Sequence, residues 1–404
     1  MIKNNLLLKN HIQKEYFKDS ELKKFNKKYK KIFLEINKDI KNPKKTINVI
    51  DNNFKFNFKI NDLKKFKKFK NIAILGMGGS VLGSKAIYKF LEKKIKKKIY
   101  FFDNLQENKI KEFKKKKLSK ILFIVISKSG NTIETLSNVF ALNIIKKNAK
   151  NIILISEKKN SALFHLSKKL NLYFVEHKNY VGGRYSVLSD TGIIPAYLMG
   201  INIFKFRSKI QKPLIKKNKN FLKISTIKIA NLIMFKKVNN LIYLNYSPEL
   251  EEFLYWCQQL IAESLGKKNK GFLPVVSNAP KDHHSLLQLY LDGPKDKIFY
   301  IFSHEKKFKE KVKLKKEFGL KSFLQNKNLS NIKKAQKKAL IKAFIKNKIP
   351  FRVIEFKEIN EEVLGELFSY FILETIIVGK LLNINPFDQK AVEQVKDYTK
   401  KLLT

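Results

Sequence analysis

The stretch NIAILGMGGS, residues 71–80, is an apolar run of strand length that ends in three glycines and a serine. It is the first of a series. KIYFFD (98–103), ILFIVIS (121–127) and NIILIS (151–156) follow, separated by longer amphipathic stretches punctuated by lysine. Short apolar runs alternating with helix-length segments are the pattern of βαβ units, which build a parallel sheet covered by helices on both faces. Ligands of such sheets bind where strand carboxyl ends feed into helix N-termini. A second, weaker alternation runs through LIYLNY (241–246), KIFYIF (297–302) and PFRVIEF (350–356) into helical patterns at 361–382 and 388–402. The expected fold class is therefore α/β, with two subdomains, each a mostly parallel sheet flanked by helices, and helical N- and C-terminal segments. The expected division is an N-terminal helical arm (1–53), a first α/β unit (54–203), a helical Lys-rich connector (204–237), a second α/β unit (238–385) and a C-terminal helix (386–404).

A chain of 404 residues with 44% hydrophobic content can bury a substantial core. Lysines interrupt every apolar stretch before membrane-spanning length, and the opening MIKNNLLLKN is too short an apolar run for a signal peptide, so a soluble, cytoplasmic protein is expected. The single cysteine, Cys257, excludes an internal disulfide and a thiolate zinc site and reads as a core residue. The formal net charge of +51 would point to nucleic acid or an anionic membrane, but the basic residues are spread through almost every segment and only Arg184, Arg207 and Arg352 are arginine. A nucleic-acid binder uses arginine forks and clusters its charge, so neither nucleic acid nor membrane is expected as a partner.

Six segments carry candidate chemistry. Gly76-Met-Gly-Gly79-Ser80 opens a helix after a strand, either as a structural turn or as a loop that brings backbone N–H groups to an anion; it is neither a dinucleotide fingerprint nor a Walker A loop. Ser127-Lys128-Ser129-Gly-Asn-Thr132 places three hydroxyls at one helix N-terminus, where an ordinary cap needs one, and suits a monophosphate. In Gly182-Gly-Arg184-Tyr-Ser, an arginine retained in a lysine-saturated chain implies a planar fork on an oxyanion or a structural salt bridge. Gln259 and Glu263 lie four apart on one helix face, where the carboxylate is either a general base or a surface residue. Asp282-His283-His284-Ser285 lacks the further ligands of a metal site and favours acid/base duty. Asn385-Pro-Phe-Asp-Gln389 precedes Lys396, which by itself reads as a surface lysine.

Together and in order, GMGGS, SKSGNT, GGRYSVLS, AESLGK, DHHS with LDGPKDK, and NPFDQKAVEQVK resemble the glucose-6-phosphate isomerase family, with its two sugar-isomerase-type subdomains, from Asn71 to Lys396. The resemblance implies reversible isomerisation of glucose 6-phosphate and fructose 6-phosphate, without metal or organic cofactor. It implies that Gly79, Ser80, Ser127, Lys128, Ser129 and Thr132 bind the sugar phosphate, and that Arg184 stabilises an enediolate. Glu263 is then the base between C2 and C1, Gln259 and Gln389 position substrate, and His284 with Lys396 opens the ring, the histidine coming from the neighbouring subunit of a homodimer. The sequence departs from the family at SKSGNT, where many members have SKTFTT, and at His283, where glutamine is expected. It is also short for the family. A dual phosphoglucose/phosphomannose isomerase and a non-catalytic sugar-phosphate sensor are the rival readings; GGRYSVLS and NPFDQ disfavour the first, and the joint presence of Glu263, His284 and Lys396 disfavours the second.

Overall fold

The computed structural model describes residues 6–235, 238–304, 310–313 and 322–404; the connector's expected end at 237 lies outside them. Ten strands among these residues form two five-stranded sheets. The first strand, β1 (Leu6–His11), corrects the expectation of a wholly helical arm. Leu6 is buried and Leu7 exposed, a period of two, and the strand pairs antiparallel with β10 (Phe351–Phe356) at the edge of the second sheet. The helix Asp19–Ile40 follows it and buries Phe25, Tyr29, Ile32, Phe33 and Ile36 on one stripe.

The first sheet joins β2 (Asn71–Leu75), β3 (Lys98–Phe102), β4 (Ile121–Ile126), β5 (Ile152–Ser156) and β6 (Tyr173–Glu176) in the order β3-β2-β4-β5-β6, every pair parallel. The second joins β7 (Asn240–Asn245), β8 (Leu273–Asn278), β9 (Lys297–His304) and β10 in the order β1-β10-β9-β7-β8, parallel except for β1. Continuous apolar runs are what such sheets need, because both faces are covered. Alternate residues of one strand enter different cores: Ile72 and Ile74 point into the large central core, Ala73 and Leu75 into a smaller outer one. β7 repeats the division, with Leu241 and Tyr243 central and Ile242 and Leu244 outer. The central core is thus shared by both sheets and by the helices between them. Among these are Glu251–Leu265 and Glu361–Leu381; the latter is buried along nearly its whole length. Cys257 is fully buried there, as expected.

The terminal helix Glu393–Leu403 buries none of its residues. No helix among the described residues is long and apolar enough to cross a membrane.

Candidate active site

Two strand-end loops of the first sheet, those after β2 and β6, pack against the helix Glu251–Leu265, and the loop after β4 is tied to the one after β6. The loop after β2 turns through Gly78–Ser80 into the helix Leu82–Leu91. A Cβ on Gly79 would stand 2.3 Å from the carbonyl carbon of Gly183, so only glycine allows this loop to lie against the one that carries Arg184.

The loop after β4 folds its hydroxyls inward. Ser127 Oγ lies 2.8 Å from Thr132 Oγ1, and Gly130 N–H (3.1 Å) donates to Ser127 Oγ while Asn131 N–H (3.2 Å) donates to Ser129 Oγ. Thr132 stands at the N-cap of the helix Ile133–Ala141 without capping it, so its hydroxyl leaves the first-turn amides to other partners. Lys128 behaves differently. Its ammonium donates to the Asn179 carbonyl (2.8 Å) and lies 3.6 Å from Glu157, tying this loop to the one after β6. Burial lowers its pKa from the ordinary lysine value. Beneath it, His177 is pushed down to about 4, by burial first and the Lys128 ammonium second.

Arg184 is buried, with all five N–H groups engaged. Nε donates to Ser264 Oγ (2.8 Å); Nη2 donates to the carbonyls of Pro386 (2.6 Å) and Asp388 (3.0 Å). Nη1 alone donates to two movable side chains, Gln389 Oε1 (2.7 Å) and Glu263 Oε2 (3.2 Å). Tyr185 Oη contacts both Ser264 Oγ and the Pro386 carbonyl, and Lys267 pairs with Asp388 Oδ1 at 2.7 Å while donating to the Asn385 and Asp388 carbonyls. These contacts clasp the 385–389 loop to the helix end. Tyr185, Ser264 and Lys267 received no role from the sequence, although all three stand inside quoted motifs.

Glu263 is partly open to solvent. Its Oε1 accepts from Gln259 Nε2 (2.9 Å), and a cavity of about 560 Å³ lined by Gln258, Gln259, Ala262, Glu263 and Leu82 opens beside it. Gln259 Oε1 is buried without a hydrogen-bond partner among the described residues, an acceptor that a ligand hydroxyl would satisfy.

The structure therefore joins Arg184, Glu263, Gln259 and Gln389 directly and gathers the 127–132 hydroxyls into a separate group. It does not bring His284 or Lys396 to them. His284 is exposed beyond β8, whereas the neighbouring His283 hydrogen-bonds Tyr246 Oη at 2.8 Å. Lys396 stands on the exposed terminal helix, 2.7 Å from Glu393 Oε1. Among the described residues no group of three or more His, Cys, Asp or Glu could hold a metal ion.

The family profile described as phosphoglucose isomerase matches residues 57–404, which include every residue of this cluster. The chain belongs to the phosphoglucose isomerase family. Its relatives in that family include a probable glucose-6-phosphate isomerase of Methanococcus maripaludis, 34% identical with 96% of this chain and 90% of the relative covered. The glucose-6-phosphate isomerase of Methanocaldococcus jannaschii is 33% identical, covering 85% of this chain and 87% of its own length. The fold is also that of a hypothetical protein from Thermus thermophilus (TM-score 0.83, 22% identity, 99% and 100% covered) and of a glucose-6-phosphate isomerase from Chlamydia trachomatis (0.70, 19%, 85% and 71%).

Proposed function

We propose that this member of the phosphoglucose isomerase family interconverts glucose 6-phosphate and fructose 6-phosphate in the cytoplasm, with residues 54–203 and 238–385 as the two halves that enclose the site. The observation that carries the reading is the single contact set joining a carboxylate, Glu263, to a fixed guanidinium, Arg184, beside a hydroxyl-lined helix N-terminus.

The phosphate sits on the Ser127, Ser129 and Thr132 hydroxyls and the adjacent amides, with Gly79 and Ser80 closing the cradle. Lys128 contributes through its backbone, because its ammonium is committed to Asn179 and Glu157. Holding the phosphate places the distant C1 and C2 against Glu263, so remote binding serves the chemistry. Ring opening exchanges protons at the ring oxygen and anomeric hydroxyl, work suited to an imidazole near neutral pH and assigned to His284 with Lys396. Glu263 then takes the C2 proton. The resulting enediolate replaces Gln389 Oε1 on Arg184 Nη1, the one nitrogen whose partners are side chains free to move. Glu263 returns the proton at C1, and Gln259 holds a substrate hydroxyl.

His284 belongs to the neighbouring site of a homodimer. Its exposure supports this, and the engagement of His283 with Tyr246 favours His284 over His283.

The test is interconversion of the two sugar phosphates with EDTA present, by wild type and Glu263→Gln. Expected is metal-independent turnover that falls about 10³- to 10⁴-fold in the variant with substrate affinity retained. Binding without turnover in the wild type would replace the isomerase with a sensor, and full activity in the variant would remove Glu263 as the base.

A further inference from the structure

On the outer side of β6, away from the cluster just described, a hollow of about 1160 Å³ gathers residues from four separate segments. Five lysines line it: Lys65, Lys68, Lys150, Lys158 and Lys168. No carboxylate does, and of the five only Lys158 forms an ion pair among the described residues, with Glu176 at 3.1 Å. Lysine is common in this chain, so its presence alone decides nothing. What sets this hollow apart is its wall. Phe164, Tyr173 and Phe174 lie in it, and two of the ammoniums are held against rings: Lys65 4.7 Å from the Tyr173 centroid, Lys168 5.8 Å from that of Phe164. Two asparagines in the left-handed region, Asn148 (φ 55°) and Asn171 (φ 49°), stand in the same lining and bond to each other, Asn171 Nδ2 donating to Asn148 Oδ1 at 3.0 Å. That bond leaves the Asn148 amide donors and the Asn171 carbonyl oxygen without a hydrogen-bond partner among the described residues.

Unpaired ammoniums around a concavity, aromatic faces and a free amide donor and acceptor are, respectively, what a polyphosphate, a flat ring and the polar edge of that ring require. We propose that this hollow is a second ligand site, for a nucleoside polyphosphate, separate from the sugar-phosphate site. The lysines take the phosphates, the base packs against Phe164, which meets Phe174 at 5.4 Å on the outer face of β6, and the asparagine pair bonds the base edge. A single hollow of this volume fits one nucleotide better than a nucleic-acid strand, which would need a continuing track.

The test is calorimetric titration of the full chain with ATP, alone and with saturating fructose 6-phosphate. Expected is binding that fructose 6-phosphate leaves unchanged. It should weaken about tenfold or more in Lys65→Gln/Lys168→Gln and about fivefold in Phe164→Ser. Isomerase turnover unchanged in both variants shows that they are folded. Three results overturn the site: displacement of ATP by fructose 6-phosphate, affinity unaltered in the variants, or no ATP binding at low millimolar concentration. Tripolyphosphate binding as tightly as ATP would remove the nucleoside from the assignment. A single-stranded oligonucleotide outcompeting ATP would replace the nucleotide with a nucleic acid.

Discussion

The two halves of the proposed reaction are built to different degrees within one chain. The proton-transfer half is finished: Arg184 is buried, and Glu263, Gln389, Ser264 and two backbone carbonyls engage all of its N–H groups. The ring-opening half is not. His284 is exposed, and among the described residues Lys396 pairs only with its helical neighbour Glu393. The difference matches the chemistry. Stabilising a developing charge requires donors fixed before the reaction, whereas opening a ring requires groups that approach a substrate already bound.

Arg184→Lys tests the finished half most severely. Lysine cannot reproduce the planar fork, so kcat should fall about 10²- to 10³-fold, with a lowered unfolding temperature as the Pro386 and Asp388 carbonyls lose their donors. A fall in stability with kcat intact would make Arg184 a structural clasp only.

The unfinished half is tested by mixing. His284→Gln should lose about 10²-fold in kcat. When co-expressed with Glu263→Gln, random pairing of subunits should restore about a quarter of wild-type activity, because one site in each mixed dimer regains both groups. Mixtures as inactive as the separate variants would place each histidine in its own chain's site.

Acid should loosen the loops around Lys128 through His177. Its folded value of about 4 lies below the ordinary 6.5, so between those values the unfolded chain binds the extra proton. The stability this neutral imidazole contributes is complete above pH ~6.5 and is lost as pH falls toward 4, by about 3 kcal/mol at most. Urea midpoints between pH 7.5 and 4.5 should show the loss in wild type and a flatter profile in His177→Gln. Identical profiles would remove His177 from the account. The mildest change is Lys396→Met, expected to lower kcat about tenfold while leaving the unfolding temperature unmoved, since an exposed pair contributes little. A large shift in melting would show that Lys396 holds the helix rather than serving the reaction.

The strands legible in the sequence are those with uninterrupted apolar runs covered on both faces, such as β4 and β9. Three were not legible, each for a physical reason. β6 is four residues long, β8 (LPVVSN) contains Pro274, and β1 shows only an edge strand's half-buried alternation. At the site, the Ser127–Thr132 hydroxyls and Arg184 stood out because an ordinary cap needs one hydroxyl and a lysine-saturated chain keeps few arginines, whereas Glu263, by itself a surface glutamate, was singled out only by the family resemblance. The Lys128 ammonium's bond to Asn179 was not, since it depends on where the β6 loop lies in space. Nor was the Lys267 clasp on the 385–389 loop, which joins residues far apart in the chain.

The antiparallel pairing of β1 with β10 sets an order of events during synthesis. Leu6 leaves the ribosome long before its partner Phe356. The second sheet therefore cannot close until β10 has been made, and β1 must wait unpaired until then. A chain trimmed of residues 6–11 would present the open edge of β10 to other molecules, a template for self-association. β1 thus guards an edge that does not yet exist when it emerges.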